Sequence, residues 1–349
     1  MPDQTRRLIM PDPISISADA PFVPPVRRVS VRGLLVISGL IIATLLSVPF
    51  WGSAGLMRTL AEFITLLALA QMWNLLAGYA GMVSVGQQAW IGLGGYTLIV
   101  FADDLHVNMF LAVFASGLVA AILSLPTALI IFRLRVGYFA IGSWVVAEVF
   151  HLLVASSTDW LGGGLGRTLA AAGTFERSQR EDLTYWLAVL IGVGAVVLVY
   201  ALMRSRLGLG LTAIRDSETA AASLGVDTYW IKLLVFVICA FGTGVTGGLI
   251  YLNVLRITPD AAFSIQWTAF MIFIVVIGGI GTVEGPILGT LIFFLIREYL
   301  SDFGGWSLIL LGLTAVVLML VAPQGLWGLV QERVRLEIFP VRRRLPGKD

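Results

Sequence analysis

Long apolar stretches recur along most of the chain, and short polar or glycine-rich segments separate them. Each stretch is close to the roughly 20 residues that an α-helix needs to cross a bilayer core. The pattern therefore predicts an all-α, polytopic transmembrane helix bundle with about eight to ten spans. The ten candidate segments are residues 34–51, 57–77, 84–102, 109–132, 137–155, 184–203, 231–252, 267–283, 285–300 and 306–322.

Two of these regions are short and rich in glycine. One is residues 84–102, and the other is the pair of segments divided by GGIGTVEGPILG at residues 278–289. Membrane helices can break where the freed backbone groups are buried in protein or line a cavity. We therefore expect broken or re-entrant helices at both places.

The composition leaves little room for a soluble catalytic domain. Of the 349 residues, 58% are hydrophobic and 13% are charged, against about 25% charged in ordinary soluble domains. Two histidines and one cysteine, Cys239, cannot assemble a disulfide or a thiolate metal cluster within the chain. We predict that the protein is not an enzyme, has no catalytic residues and carries no metal and no other cofactor.

Basic residues are distributed unevenly over the predicted loops. With both termini in the cytoplasm, 17 of the 23 Lys and Arg residues lie on the inner side and 6 on the outer side, in agreement with the positive-inside rule. Residues 1–32 are then a cytosolic N-terminal tail, 33–330 the transmembrane domain and 331–349 a basic cytosolic C-terminal tail. A net charge of only +2 argues against nucleic-acid binding.

Two predicted loops are too long to be simple turns: the outer loop, residues 156–183, and the inner loop, residues 204–230. The inner loop contains DSETAAASLG, which predicts a short helix from Asp216 to Leu224 with Asp216 or Ser217 as N-cap and Gly225 as its end. Such a helix could dock in a groove of a partner. The alternative is a surface helix that caps the bundle.

Polar residues inside the predicted spans form a second class of candidates. A carboxylate at the bilayer centre costs about 2.5 to 3.5 kcal/mol on insertion scales, and Glu148 lies mid-span, one helical turn before His151. It could line a translocation path or form a structural pair with His151. Asn74, Ser84, Gln87 and Gln88 surround a glycine-rich region and could line the path or make interhelical hydrogen bonds.

Five stretches along the chain carry a family resemblance. They are LLALAQMWNLLAGYAGMVSVGQQAWIGLGGYT, GYFAIGSWVVAEVFHLL, GLGLTAIRDSETAAASLGVDTYWIKLLVFVICA, VVIGGIGTVEGPILG and LVAPQGLWGL. The segment Glu218 to Ala222 with Gly225 resembles the E-A-A type coupling loop of ABC importer permeases. Together the stretches resemble the permease subunits of branched-chain amino acid importers, most closely the longer of the two permease types.

This resemblance implies an inner-membrane permease that works with other subunits. The implied partners are a second related permease, two cytosolic ATPase subunits and a periplasmic substrate-binding protein, all assembled in membrane lipid. The chain has no G-x-x-x-x-G-K-[ST] phosphate loop of its own, so ATP would be bound by another polypeptide. The implied ATPase-coupling residues are Arg215, Asp216, Glu218, Ala221 and Gly225.

The predicted function is therefore a translocation path for branched-chain or similar hydrophobic amino acids. A related importer for urea, short amides or another small solute would share this architecture. A stand-alone secondary transporter is a further alternative, and it would work without an ATPase.

Overall fold

Five long helices lie in the first part of the chain. The computed structural model describes residues 27–28, 31–134, 136–300, 306–322, 324–334, 336–337 and 339. The helices are α1 (Val31–Trp51), α2 (Ala54–Asn74), α3 (Gln88–Ile99), α4 (Met109–Ile131) and α5 (Val136–Ser156). α2 and α3 continue into π-helical turns, Leu75–Tyr79 and Val100–Asp104. Such turns appear frequently at functional sites.

The second part of the chain alternates long helices with short ones. These are α6 (Thr158–Leu161), α7 (Arg177–Arg204), α8 (Arg206–Asp216), α9 (Glu218–Ser223), α10 (Thr228–Val254), α11 (Pro259–Ala262), α12 (Ile265–Gly278), α13 (Glu284–Leu300), α14 (Trp306–Val321) and α15 (Gly325–Val334). Short 3-10 turns in the outer loop cover Gly163–Leu165 and Ala170–Thr174.

The predicted all-α polytopic bundle is confirmed. Seven helical segments of the described chain are long and apolar enough to cross a membrane. Each of the ten predicted segments overlaps a helix, and the helices of three of them, α1, α3 and α13, are not among these seven. The expected glycine-rich breaks lie at residues 80–87, before α3, and at residues 279–283, between α12 and α13. We call residues 279–283 the glycine loop.

α2 lies at the centre of the bundle. In its apolar window 78% of the residues are buried, against 22% for α5. α2 packs on α7, α10, α12 and α13, while α10 packs on α3 and α4. Small residues allow this last approach, since Gly244 of α10 lies against Ser116, Gly117 and Ala120 of α4. Close packing of small residues is the usual way for helices to associate in a membrane.

Two short ladders connect distant parts of the chain. β2 (Arg167–Thr168) in the outer loop pairs antiparallel with β3 (Arg256–Ile257), which follows α10. β1 (Arg27–Arg28) pairs in parallel with β4 (Leu336–Glu337). Most of the predicted tails, 1–32 and 331–349, lie outside the described residues, so their cytosolic placement stays a prediction.

Candidate functional site

The inner loop folds into two consecutive helices, α8 and α9. The hydroxyl oxygen of Ser205 accepts a hydrogen bond from the Leu207 amide at 3.1 Å, and that of Ser217 accepts one from the Ala220 amide at 3.3 Å. Each serine therefore caps the helix that follows it. Gly225 has a φ of +84°, the left-handed conformation in which helices commonly end. The helix predicted near residues 216–224 is confirmed, with Ser217 as its N-cap.

The outward surface of α9 is formed by small and polar side chains. Glu218, Thr219 and Ala222 are exposed, and the Glu218 carboxylate forms an ion pair with Lys232 in the first turns of α10. Ala221 is only 2% exposed and faces its own chain. An exposed face of small residues suits docking of a helix into a groove, and Ala221 would support that face from beneath.

Arg215, in the last turn of α8, faces the membrane domain. Its Nη1 donates a hydrogen bond of 3.2 Å to the carbonyl oxygen of Gly78, in the π-helical turn after α2. Its Nε and Nη2 each donate to Oδ1 of Asp216 at 3.3 Å. The aliphatic part of the side chain lies beside Gly81. Arg215 therefore joins the inner loop to the C-terminal end of α2.

Buried amides attach α2 to the glycine loop. The Oδ1 of Asn74 accepts a hydrogen bond from the Gly281 amide, and its Nδ2 donates to the carbonyl of Thr282, both at 2.8 Å. One turn earlier, Nε2 of Gln71 donates to the carbonyl of Val283 at 2.9 Å. Asn74 and Gln71 are fully buried. The predicted pathway residue Asn74 thus holds two backbone segments together.

The remaining polar candidates near the first glycine-rich break are also buried. The hydroxyl oxygen of Ser84 accepts a hydrogen bond from the Gly86 amide at 3.2 Å. Thr268 donates to Oε1 of Gln88 at 2.5 Å. Oε1 of Gln87 accepts from a threonine hydroxyl of α10, whereas its Nε2 has no hydrogen-bond partner among the described residues. These side chains form a polar layer between α3, α10 and α12.

Glu148 lies apart from that layer, on the exposed side of α5. The predicted contact with His151 is present, with Nδ1 of His151 at 3.1 Å from a Glu148 oxygen. Nε2 of the same ring lies 3.1 Å from Oδ1 of Asp260 in α11. One imidazole therefore bridges two carboxylates from separate helices. The Glu148 side chain is 54% exposed on this chain.

Two adjacent aspartates at the end of the π-helical turn after α3 hold the outer loop. Asp104 makes a two-pronged ion pair with Arg167 at 2.7 and 2.8 Å. The hydrogen bond from the Arg167 guanidinium lowers the pKa of the Asp104 carboxyl below its usual value. The carboxylate of Asp103 accepts hydrogen bonds from the amides of Ala170 and Ala171. The loop is thus folded against the bundle.

The structure brings some of the predicted residues together and separates others. Arg215 and Asn74 meet through Gly78, whose backbone lies against Gly281. The polar layer of Ser84, Gln87 and Gln88 follows in the adjoining break. Glu148 belongs to a different surface. Whether any of these residues lines a translocation path or contacts a partner stays a prediction.

Sequence reasoning missed three features of this region. Gln71 lies three residues before Asn74 in an apolar run, a spacing that places both on one helix face. Helix α8 was not predicted, although Leu207, Leu211 and Ile214 follow a helical period; the intervening glycines weaken that signal. An ion pair between Glu62 and Arg297, at 2.5 Å, joins α2 to α13.

The described residues contain no group of three or more His, Cys, Asp or Glu side chains that could hold a metal ion. Cys239 is buried, and its thiol donates a hydrogen bond to the carbonyl of Met72 at 3.2 Å. Its position agrees with a packing role.

The bundle, with buried amides at its centre and a folded loop between two long helices, is that of a polytopic membrane protein. Residues 55–323 match the family model described as branched-chain amino acid transport system / permease component. The chain belongs to this family.

Individual relatives agree with the family match. The chain is 26% identical to the high-affinity branched-chain amino acid transport system permease protein LivM of Escherichia coli K12, over 93% of this chain and 81% of that protein. It is 27% identical to the protein of the same name from Salmonella typhimurium, over 83% and 74%. A probable LivM permease of Methanocaldococcus jannaschii is 24% identical over 58% of each chain. No solved structure matches the chain.

Proposed function

We propose that the chain forms one half of the translocation path of an ATP-driven importer for branched-chain or similar hydrophobic amino acids. Its partners are a second related permease, two cytosolic ATPase subunits and a periplasmic substrate-binding protein. Both termini lie in the cytoplasm of a cell whose inner membrane holds the complex. Family membership supports the transport role, and the absence of a phosphate loop from the sequence supports an ATPase on another chain.

The observation that carries the ATP-driven assignment is the folded inner loop. Two capped helices here present exposed small and polar residues on one side, and Arg215 contacts the membrane domain on the other. A loop that served only as a connection would not need both features. In this proposal α9 occupies a cleft of the ATPase, with Glu218 and Asp216 at the contact and Gly225 ending the helix.

The exposed face of α5 supports a second permease subunit. Ile141, Val145, Val149 and Leu152 are exposed on this chain, with the Glu148 carboxylate among them. A carboxylate directed at lipid is costly, whereas a partner helix or a water-filled path between two subunits would accommodate it. We place this face against the partner permease and Glu148 at the path.

The polar layer next to α3 is the proposed inner part of the path. Ser84, Gln87 and Gln88 lie where the helix is broken, and Nε2 of Gln87 has no partner among the described residues. An unpaired buried amide group is costly, so it is available to a polar group of the substrate or to water. Asn74 supports this layer through its hold on the glycine loop.

The proposal is tested by isolating the complex through this chain. An affinity tag is added to the chain, native membranes are solubilised gently, and stoichiometric partners are identified by mass spectrometry. The proposal expects a second permease and an ATPase. Recovery of the chain alone, still active in ATP-free vesicles, would support a secondary transporter instead.

The substrate class requires a second measurement on the same complex. Vesicles containing the complex and its binding protein are supplied with labelled L-leucine, L-alanine, urea or acetamide. The proposal expects ATP-dependent uptake of leucine. Uptake of urea or acetamide without uptake of leucine would assign the chain to the alternative substrate class.

A further inference from the structure

The contact between the inner loop and α2 is concentrated on one side chain. Nη1 of Arg215 donates to the Gly78 carbonyl at 3.2 Å, and an ideal Cβ placed on Gly281 would lie 3.2 Å from the same Nη1. The methylene carbons of Arg215 lie beside Gly81, at 3.5 Å from the position of its ideal Cβ. The guanidinium therefore occupies the point where α2, the first break and the glycine loop meet.

α2 and the glycine loop, which meet at the Arg215 guanidinium, are held to each other by hydrogen bonds and close packing. Asn74 links α2 to the glycine loop through two hydrogen bonds of 2.8 Å. An ideal Cβ on Gly78 would lie 2.6 Å from the Gly281 amide nitrogen, so the two backbones are already in close contact. Displacement of the Gly78 carbonyl would consequently move the glycine loop with it, because no space separates them.

The surroundings of Arg215 favour an inward role over a partner contact. Its two other donor atoms are directed to Asp216, which is on the more exposed side, with 73% of its side chain accessible. The apolar residues Leu211 and Ile214 of the same helix are buried against the rest of the chain. The Arg215–Gly78 hydrogen bond is a direct polar contact between the inner loop and the π-helical turn that follows α2.

We infer that Arg215 is a positioning residue that transmits movement of the inner loop to α2 and the glycine loop, rather than a residue that holds the ATPase. This inference rests on the proposed function. When the ATPase pair closes and shifts α8 and α9, the guanidinium displaces the Gly78 carbonyl, and the Asn74 amide carries the displacement into the glycine loop. Coupling through hydrogen-bonded, closely packed elements is a general way to connect distant sites.

The test separates docking of the ATPase from use of its energy. R215Q removes the charge and the guanidinium fork, R215K keeps the charge without the fork, and R206Q is the matched control. Arg206 begins the same helix, is exposed, and makes no ion pair or hydrogen bond within the described residues. Each variant complex is purified and reconstituted, and three quantities are measured: ATPase recovered per permease, ATP hydrolysis, and leucine taken up per ATP.

R215Q should retain ATPase recovery and should lower leucine uptake per ATP by about ten-fold or more, the factor expected when a charged hydrogen bond is lost. R215K should fall between R215Q and the unmodified complex, and R206Q should match the latter. If R215Q does not accumulate in the membrane, R215K carries the test with the same expected split.

Two results would overturn the inference. Loss of the ATPase from the R215Q complex would make Arg215 a docking residue, and unchanged uptake per ATP in R215Q and R215K would remove its role altogether. Failure of the proposed function looks different, because the unmodified chain would then purify without any ATPase.

Discussion

Gly78→Ala should destabilise the bundle because Gly78 lies directly against the glycine loop. An ideal Cβ at this position would lie 2.3 Å from Oδ1 of Asn74 and 2.6 Å from the Gly281 amide nitrogen. Relief requires either a backbone shift or rotation of Asn74, which breaks its two hydrogen bonds. Overpacking costs about 1–3 kcal/mol and each lost hydrogen bond about 0.5–1.5 kcal/mol. By either route the expected loss of stability is therefore about 1–3 kcal/mol.

The assay is thermal unfolding of the purified protein in detergent. The quantity measured at each temperature is the fraction of protein that remains monodisperse in size-exclusion chromatography. Gly194→Ala in α7 is the matched control, since no atom lies within 4 Å of its ideal Cβ. Alanine in an exposed helical position favours the helix by about 1 kcal/mol over glycine, so the control should be unchanged or slightly more stable. Equal melting temperatures for the two variants would refute the close approach of Gly78 to the glycine loop.

Three further outcomes are expected. Ser217→Ala removes the N-cap of α9 and should destabilise this helix by about 1 kcal/mol. Less ATPase should then be recovered with the variant, and Ser217→Asp should restore the recovery. Equal recovery with the unmodified chain and both variants would contradict the capping role. Thr268→Val leaves the Gln88 oxygen without its donor and should lower stability by about 1–3 kcal/mol in the same thermal assay, whereas no change would exclude that hydrogen bond. Arg167 lowers the pKa of Asp104, so the stabilisation from this ion pair is fully present above the unfolded pKa of about 3.9 and is lost as the pH falls below that value. Hydrogen exchange of the outer loop should become faster as the pH falls through this range, and Asp104→Asn should remove this pH dependence.

The bilayer-length apolar runs made the helices predictable. α4 at Met109–Ile131 and α10 at Thr228–Val254 agree with predicted segments 109–132 and 231–252 within a few residues, because a membrane fixes both length and hydrophobicity. Both ends of α9 were also predictable, because a serine N-cap and a glycine after the last turn are local signals in the sequence.

The connections within the site were not predictable from one sequence. Asn74 and Gly281 are 207 positions apart, and no local pattern indicates which amide meets which loop. The spacing of Glu148 and His151 predicted their contact, but Asp260 lies 109 positions from His151 and enters only through the packing of α11. The ladder between β1 and β4 likewise joins the two ends of the chain. Tertiary packing decides these contacts, whereas local periodicity decides the helices.

The most direct test of the account is uptake by reconstituted vesicles with defined components. Vesicles contain either this chain alone or the complex purified through it, each with labelled L-leucine and binding protein outside and with ATP or a non-hydrolysable analogue inside. We expect leucine to accumulate only with the complex and only with ATP. Accumulation by the chain alone, independent of ATP, would contradict it.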